Sequence, residues 1–118
     1  MNLSELRDFC LGLPHTEEKL PFDENTLVFY VAGKIFCLTD MDLFQFINLK
    51  CDPDRAIELR EQYDEITAAW HMNKKHWNSI AMDGRISNPM IKELIMHSYD
   101  LVFAGLPKKI KDELSKTD

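Results

Sequence analysis

Two indoles, two imidazoles and two ammonium groups fall within the eight residues Trp70-His71-Met72-Asn73-Lys74-Lys75-His76-Trp77, a density found nowhere else in the chain. Cations set beside aromatic rings are what a protein uses to hold a nucleic-acid backbone and stack its bases. Lys74 and Lys75 lie on a polar turn with no neighbouring carboxylate in sequence to neutralise them, Arg85 follows the next turn, and Lys34 stands beside a hairpin tip. These four cations are candidates for phosphate contact, with Asn73 shaping the turn and Trp70 and Trp77 as candidate stacking surfaces. A solvated basic turn and buried indoles are the plainer alternatives, because exposed lysines are ordinary and tryptophans in β-rich runs are usually core.

Other chemistry finds less support. His71 and His76 are five apart, which is neither the i,i+4 pair of a helical zinc site nor a zinc-finger spacing, so no metal is expected. His97-Ser98-Tyr99 lies within a helical pattern, where adjacent side chains point in different directions and cannot form a nucleophile and base. The four glycines, at 12, 33, 84 and 105, make no phosphate-cradling loop. Cys10, Cys37 and Cys51 are an odd, widely spaced set that reads as buried thiols rather than a disulfide framework. The expectation is a protein without catalytic residues or cofactor.

At 118 residues the chain fits one domain, 1–118, with enough apolar content at 45 % to build a single core. It has no apolar run of membrane-spanning length and no signal-peptide pattern at its start, so a cytoplasmic, membrane-free protein is expected. The net charge of −6 opposes non-specific adhesion to polyanions. Charge is nevertheless uneven: residues 1–69 carry 14 acids and 6 bases, residues 70–85 carry 1 and 3, and the remainder carries 5 of each. Any polyanion must therefore meet the middle segment and its spatial neighbours.

The elements that would position these residues follow from periodicity and punctuation. Asn2 with Glu5 caps a first helix bearing Leu3, Leu6, Phe9, Cys10 and Leu13, stopped by Gly12 and Pro14. An acidic connector leads to a hairpin, Leu27 to Val31 and Lys34 to Leu38, turned at Ala32-Gly33. Leu43 to Lys50 is a third β-like run in which Leu43, Ile47 and Leu49 share one face. Asp52-Pro53 starts a helix that ends near Gln62 to Asp64, with Ala56, Leu59 and Tyr63 on one side. Ile66 to Met72 and Trp77 to Met82 supply two more strands, with a single helical turn over Lys74 to Trp77 between them. Ser87 or Asn88 begins the longest helix, striped by Ile91, Leu94, Ile95, Leu101 and Val102 and ended by Gly105, and Lys108 to Lys116 form a last short helix. The sum is an α+β domain of two layers, a mostly antiparallel five-stranded sheet with helices packed on one face.

His71-Met72-Asn73-Lys74-Lys75-His76-Trp77, together with Ser98-Tyr99-Asp100-Leu101-Val102 and Leu106-Pro107, resembles the MmcQ/YjbR family of small bacterial proteins. Asn48-Leu49-Lys50-Cys51-Asp52-Pro53 and Leu13-Pro14 extend the likeness weakly over the chain. The resemblance implies a compact fold related in shape to frataxin-like and secretion-chaperone-like domains. It also implies a "double wing" arrangement for which DNA binding has been proposed, and it brings no enzymatic activity or cofactor. On this basis weak, salt-dependent DNA binding through Lys34, Asn73, Lys74, Lys75 and Arg85 is the leading expectation. An adaptor or chaperone-like module that binds a protein partner is the alternative.

Overall fold

The computed structural model describes residues 1–69 and 72–116. Its elements run α1 (Leu3–Leu11), β1 (Thr16–Lys19), β2 (Thr26–Val31), β3 (Lys34–Asp40), β4 (Phe46–Lys50), α2 (Pro53–Gln62), β5 (Ile66–Ala68), β6 (Trp77–Ala81), α3 (Asn88–Ala104) and α4 (Lys108–Lys116). The strands form one antiparallel sheet in the order β1-β2-β3-β4-β6-β5. The α+β architecture is the one expected, but the sheet has six strands rather than five. The added strand is β1, Thr16-Glu17-Glu18-Lys19, within the stretch expected as a connector. It pairs with β2 along its whole length, from Thr16 opposite Val31 to Lys19 opposite Val28.

Side chains alternate across each strand, so the register sorts the sheet into two faces. Leu27, Phe29, Cys37, Ile47, Leu49, Ile66 and Ile80 share the inner face. Against them pack Leu6 and Cys10 of α1, Ala56 and Leu59 of α2, and Ile91, Leu94, Ile95, Tyr99 and Val102 of α3. Phe36 also joins this core through a register shift at Phe29/Tyr30, meeting Tyr99 edge-on with ring centroids 5.4 Å apart. The three cysteines are free thiols in the interior.

Local signals account for the helix ends. Asn2 and Glu5 form a reciprocal capping box at the start of α1, and the side chains of Asp52 and Ser87 cap α2 and α3 ahead of Pro53 and Pro89. Ser98, within α3, is fully buried. Its hydroxyl donates to the Phe36 carbonyl and accepts from the Lys50 backbone N–H, stitching the helix to two strands at once.

Among the described residues the outer face carries no helix of its own. One row crosses it through all six strands: Lys19, Val28, Leu38, Asn48, Ser79 and Thr67. A second, smaller apolar cluster of Val28, Leu38, Ala69 and Trp77 forms on this face, fringed by Tyr30, Ile35 and Met72. Two strand expectations shorten here. The run from Leu43 becomes β4 only at Phe46, because Phe44 adopts φ 48° and Leu43 is 68 % exposed in the preceding turn. The run from Ile66 is a strand through Ala68, and residues 70–71 of the expected run to Met72 lie outside the described residues.

Candidate nucleic-acid interface

The β2–β3 connection places the first cation. Ala32 and Gly33 both have positive φ, 48° and 83°, the combination of a type I′ turn whose twist matches the two strands it joins. Lys34 therefore opens β3 at the tip, exposed. Antiparallel pairing then brings the end of β4 and the start of β6 to the same end of the sheet, with Lys50 opposite Trp77. Lys34, Lys50, Tyr30, Ile35, Met72 and Trp77 line one open depression of about 480 Å³, bordered by Val102 and Gly105 at the end of α3.

The basic turn lies just before β6, at this same end. The Asn73 side chain accepts from the Lys75 N–H at 2.9 Å, and its carbonyl accepts from His76 N at 3.1 Å and Trp77 N at 2.9 Å. Asn73 thus shapes the turn that presents Lys74 and Lys75 to solvent. Two anchors hold the turn from behind: Cys51 N donates to the His76 carbonyl at 2.7 Å, and Arg60 Nη1 donates to the Lys74 carbonyl at 3.2 Å. Among the described residues, no carboxylate is ion-paired with Lys34, Lys50 or Lys75.

Arg85 does not belong to this group, and the expectation of one positive face including it is corrected. It follows β6, at the strand end opposite Trp77, where Nη1 meets Glu65 Oε1 at 3.2 Å and Nη2 meets Asp83 Oδ2 at 2.8 Å. That hydrogen bond holds the Asp83 carboxyl below the usual carboxylate range. Its guanidinium is ion-paired with two carboxylates at the far end of the sheet, away from the lysines. Trp77 is also corrected as a stacking surface: it is 9 % exposed and packs into the outer cluster. Trp70, the other candidate stacking ring, and His71 lie outside the described residues.

Of the C-terminal lysines, Lys111 is engaged locally, its Nζ donating to the Ala104 carbonyl at 3.1 Å across the end of α3. Lys108 and Lys109 are exposed and begin α4 three residues after Gly105, which borders the depression. The His97-Ser98-Tyr99 side chains each engage different partners. His97 Nε2 accepts from Asp52 N at 3.1 Å, Ser98 bridges the strands, and the Tyr99 hydroxyl donates to the Pro14 carbonyl at 2.6 Å. No group of three or more potential metal ligands occurs among the described residues.

Two contributors were not singled out from sequence, Lys50 and Arg60. Lys50 sits in a β run and Arg60 in a helix rich in charge, so neither stands out locally. The Lys50 signal is its place at the end of a strand whose alternation turns it outward, opposite Trp77.

An antiparallel α+β domain with three helices on one face and a cationic sheet end defines the class to which this chain is assigned. Within it, the chain belongs to the YjbR family, whose sequence profile matches residues 11–101. It is 40 % identical over 101 residues to the uncharacterized protein YbdF of Escherichia coli O157:H7, covering 85 % of this chain and 83 % of that protein. It is 27 % identical over 110 residues to the uncharacterized protein YjbR of Escherichia coli K12, covering 92 % and 93 %. The crystal structure of Deinococcus radiodurans protein DR2400, a DUF419 domain, superposes with a TM-score of 0.89 at 37 % identity, over 97 % of this chain and 88 % of that one. A Pseudomonas syringae protein superposes with a TM-score of 0.73 at 25 % identity, over 86 % and 98 %. No helix is long and apolar enough to cross a membrane among the described residues.

Proposed function

We propose that this YjbR-family domain is a non-enzymatic module that binds DNA weakly through the β2–β3 tip and the basic turn. The observation that carries the proposal is the convergence of Lys34 and Lys50 in one depression beside the turn bearing Lys74 and Lys75. With a net charge of −6 over the whole chain, any attraction for phosphate depends on a local concentration of cations such as this one. Lys34, Lys50 and Lys75 support binding that is weak and strongly salt-dependent, with a log–log slope of about −3.

Fluorescence anisotropy with labelled single- and double-stranded DNA in about 20 mM salt tests the proposal. Lys34→Glu combined with Lys75→Glu is expected to lower affinity at least tenfold, whereas Arg85→Ala leaves it unchanged. Absence of any binding at that salt, or equal loss in the Arg85 variant, refutes it.

A second function, that of an adaptor for a protein partner, is favoured by the opposite end of the sheet. Phe22 and Leu43 are each 68 % exposed there, in the β1–β2 and β3–β4 loops, among Asp23, Glu24, Asp40 and Asp42. Retention of a partner by the wild type after nuclease treatment, but not by Phe22→Ser with Leu43→Ser, selects this alternative.

A further inference from the structure

The outward positions of β4 carry, in order, an aromatic ring, an amide and a cation. Phe46, Asn48 and Lys50 face out while Ile47 and Leu49 enter the core, and successive outward residues stand about 7 Å apart along a strand. We propose that this row is the seat of one nucleotide of a single-stranded nucleic acid, with its phosphate on Lys50, its base edge on Asn48 and its base face on Phe46. The inference rests on the DNA-binding proposal above and deepens it by assigning the same interface to an unpaired base.

A cavity supports the assignment. About 310 Å³ of open space lies on the helix-free face, floored by Asn48 and Ser79 and walled by Phe46, Thr67 and Met72. Met72 also lines the Lys34–Lys50 depression, so the two spaces adjoin. The volume suits a planar heterocycle, and apolar walls with a few fixed polar groups are the usual composition of such a site. Phe46 is 45 % exposed, leaving a large ring available in water.

The polar groups match a base edge. The Ser79 hydroxyl donates to Asn48 Oδ1, which fixes the amide and leaves its NH₂ without a partner among the described residues. Asp40, on the cavity wall, accepts from the Asp42 N–H at 3.0 Å through Oδ1 and has a second oxygen that can accept from an exocyclic amino group. Donor and acceptor together suit the hydrogen-bonding edge that pairing hides in a duplex and exposes in a single strand. Charge sets the polarity: the carboxylate at the Phe46 end repels phosphate and Lys50 at the other end attracts it, so backbone and base are sorted along the row.

Anisotropy titrations of a labelled single strand of about 12 nucleotides, and of the same strand annealed to its complement, test the proposal in about 50 mM salt. The single strand is expected to bind at least fivefold more tightly than the duplex. Phe46→Ala should weaken single-strand binding about five- to tenfold without changing duplex binding, and Phe46→Trp should strengthen it. Asn48→Ala should weaken it as well, with circular dichroism melts confirming that each variant is folded. Equal affinity for the two forms, or single-strand binding insensitive to both alanine variants, overturns the nucleotide seat and leaves the phosphate contacts standing. Failure of both forms to bind when the titration is repeated in about 20 mM salt overturns the two proposals together.

Discussion

Ser98 Oγ accepts the backbone N–H of Lys50 at 2.9 Å from the middle of α3, so a helix far away in sequence fixes the strand end that carries the Lys50 side chain. The same hydroxyl donates to the Phe36 carbonyl, serving both strands near the register shift of β2 and β3. A buried hydroxyl that meets two backbone groups removes two desolvation costs at once.

Ser98→Ala is therefore expected to destabilise the fold by about 1 to 3 kcal/mol, because it removes the partner of the part-buried Lys50 N–H and of the buried Phe36 carbonyl. Urea unfolding followed by far-ultraviolet circular dichroism measures the change. A loss below about 0.5 kcal/mol would show that neither group depends on the hydroxyl.

Much of this architecture is legible in the residues because its signals are local. The capping box at Asn2 and Glu5, the Asp52-Pro53 and Ser87 helix starts, the Ala32-Gly33 turn and the Lys108–Lys116 helix all rest on side chains within a few positions of one another. Strand β1 has no such signal. Thr16-Glu17-Glu18-Lys19 has no apolar face, and it is a strand because β2 offers it a hydrogen-bonding edge and because Arg7 of α1 pairs with Glu18. The site was legible only in part for a related reason. Lys74, Lys75 and Arg85 look alike in sequence, yet a five-residue strand lies between the turn and Arg85 and spans about 14 Å, sending them to opposite ends of the sheet. Lys50 and Arg60 reach the basic end only through tertiary pairing, which no local pattern announces.

The hairpin tip gives a prediction about backbone conformation. Ala32 occupies φ 48°, a region in which an L residue other than asparagine, aspartate or glycine is strained, and its N–H is already used by the His15 carbonyl at 3.0 Å. Ala32→Asn keeps that bond and favours the turn, so it should raise the melting temperature by roughly 2 °C. Gly33→Ala should lower stability by about 1 kcal/mol, since φ 83° penalises a Cβ although space around it is open. Differential scanning calorimetry of both variants checks the pair, and opposite signs are the expected result.

The last prediction concerns pH and follows from the direction of one hydrogen bond. His97 Nε2 accepts from the Asp52 N–H at the start of α2, which only a neutral imidazole can do. Burial lowers the His97 pKa below its ordinary value and the nearby Arg55 lowers it further, against the opposing pull of Glu93, Asp52 and Asp100. The unfolded chain therefore takes up this proton first as pH falls. Stability contributed by neutral His97 is fully present above about pH 6.5 and is lost as pH drops toward the lowered folded value. His97→Gln can retain an acceptor near the Nε2 position and removes the titration. Melting temperatures at about pH 7.5 and about pH 5.5 should then fall less in the variant than in the wild type, since carboxylates elsewhere titrate alike in both. Identical falls in the two proteins would mean that His97 does not carry this part of the acid sensitivity.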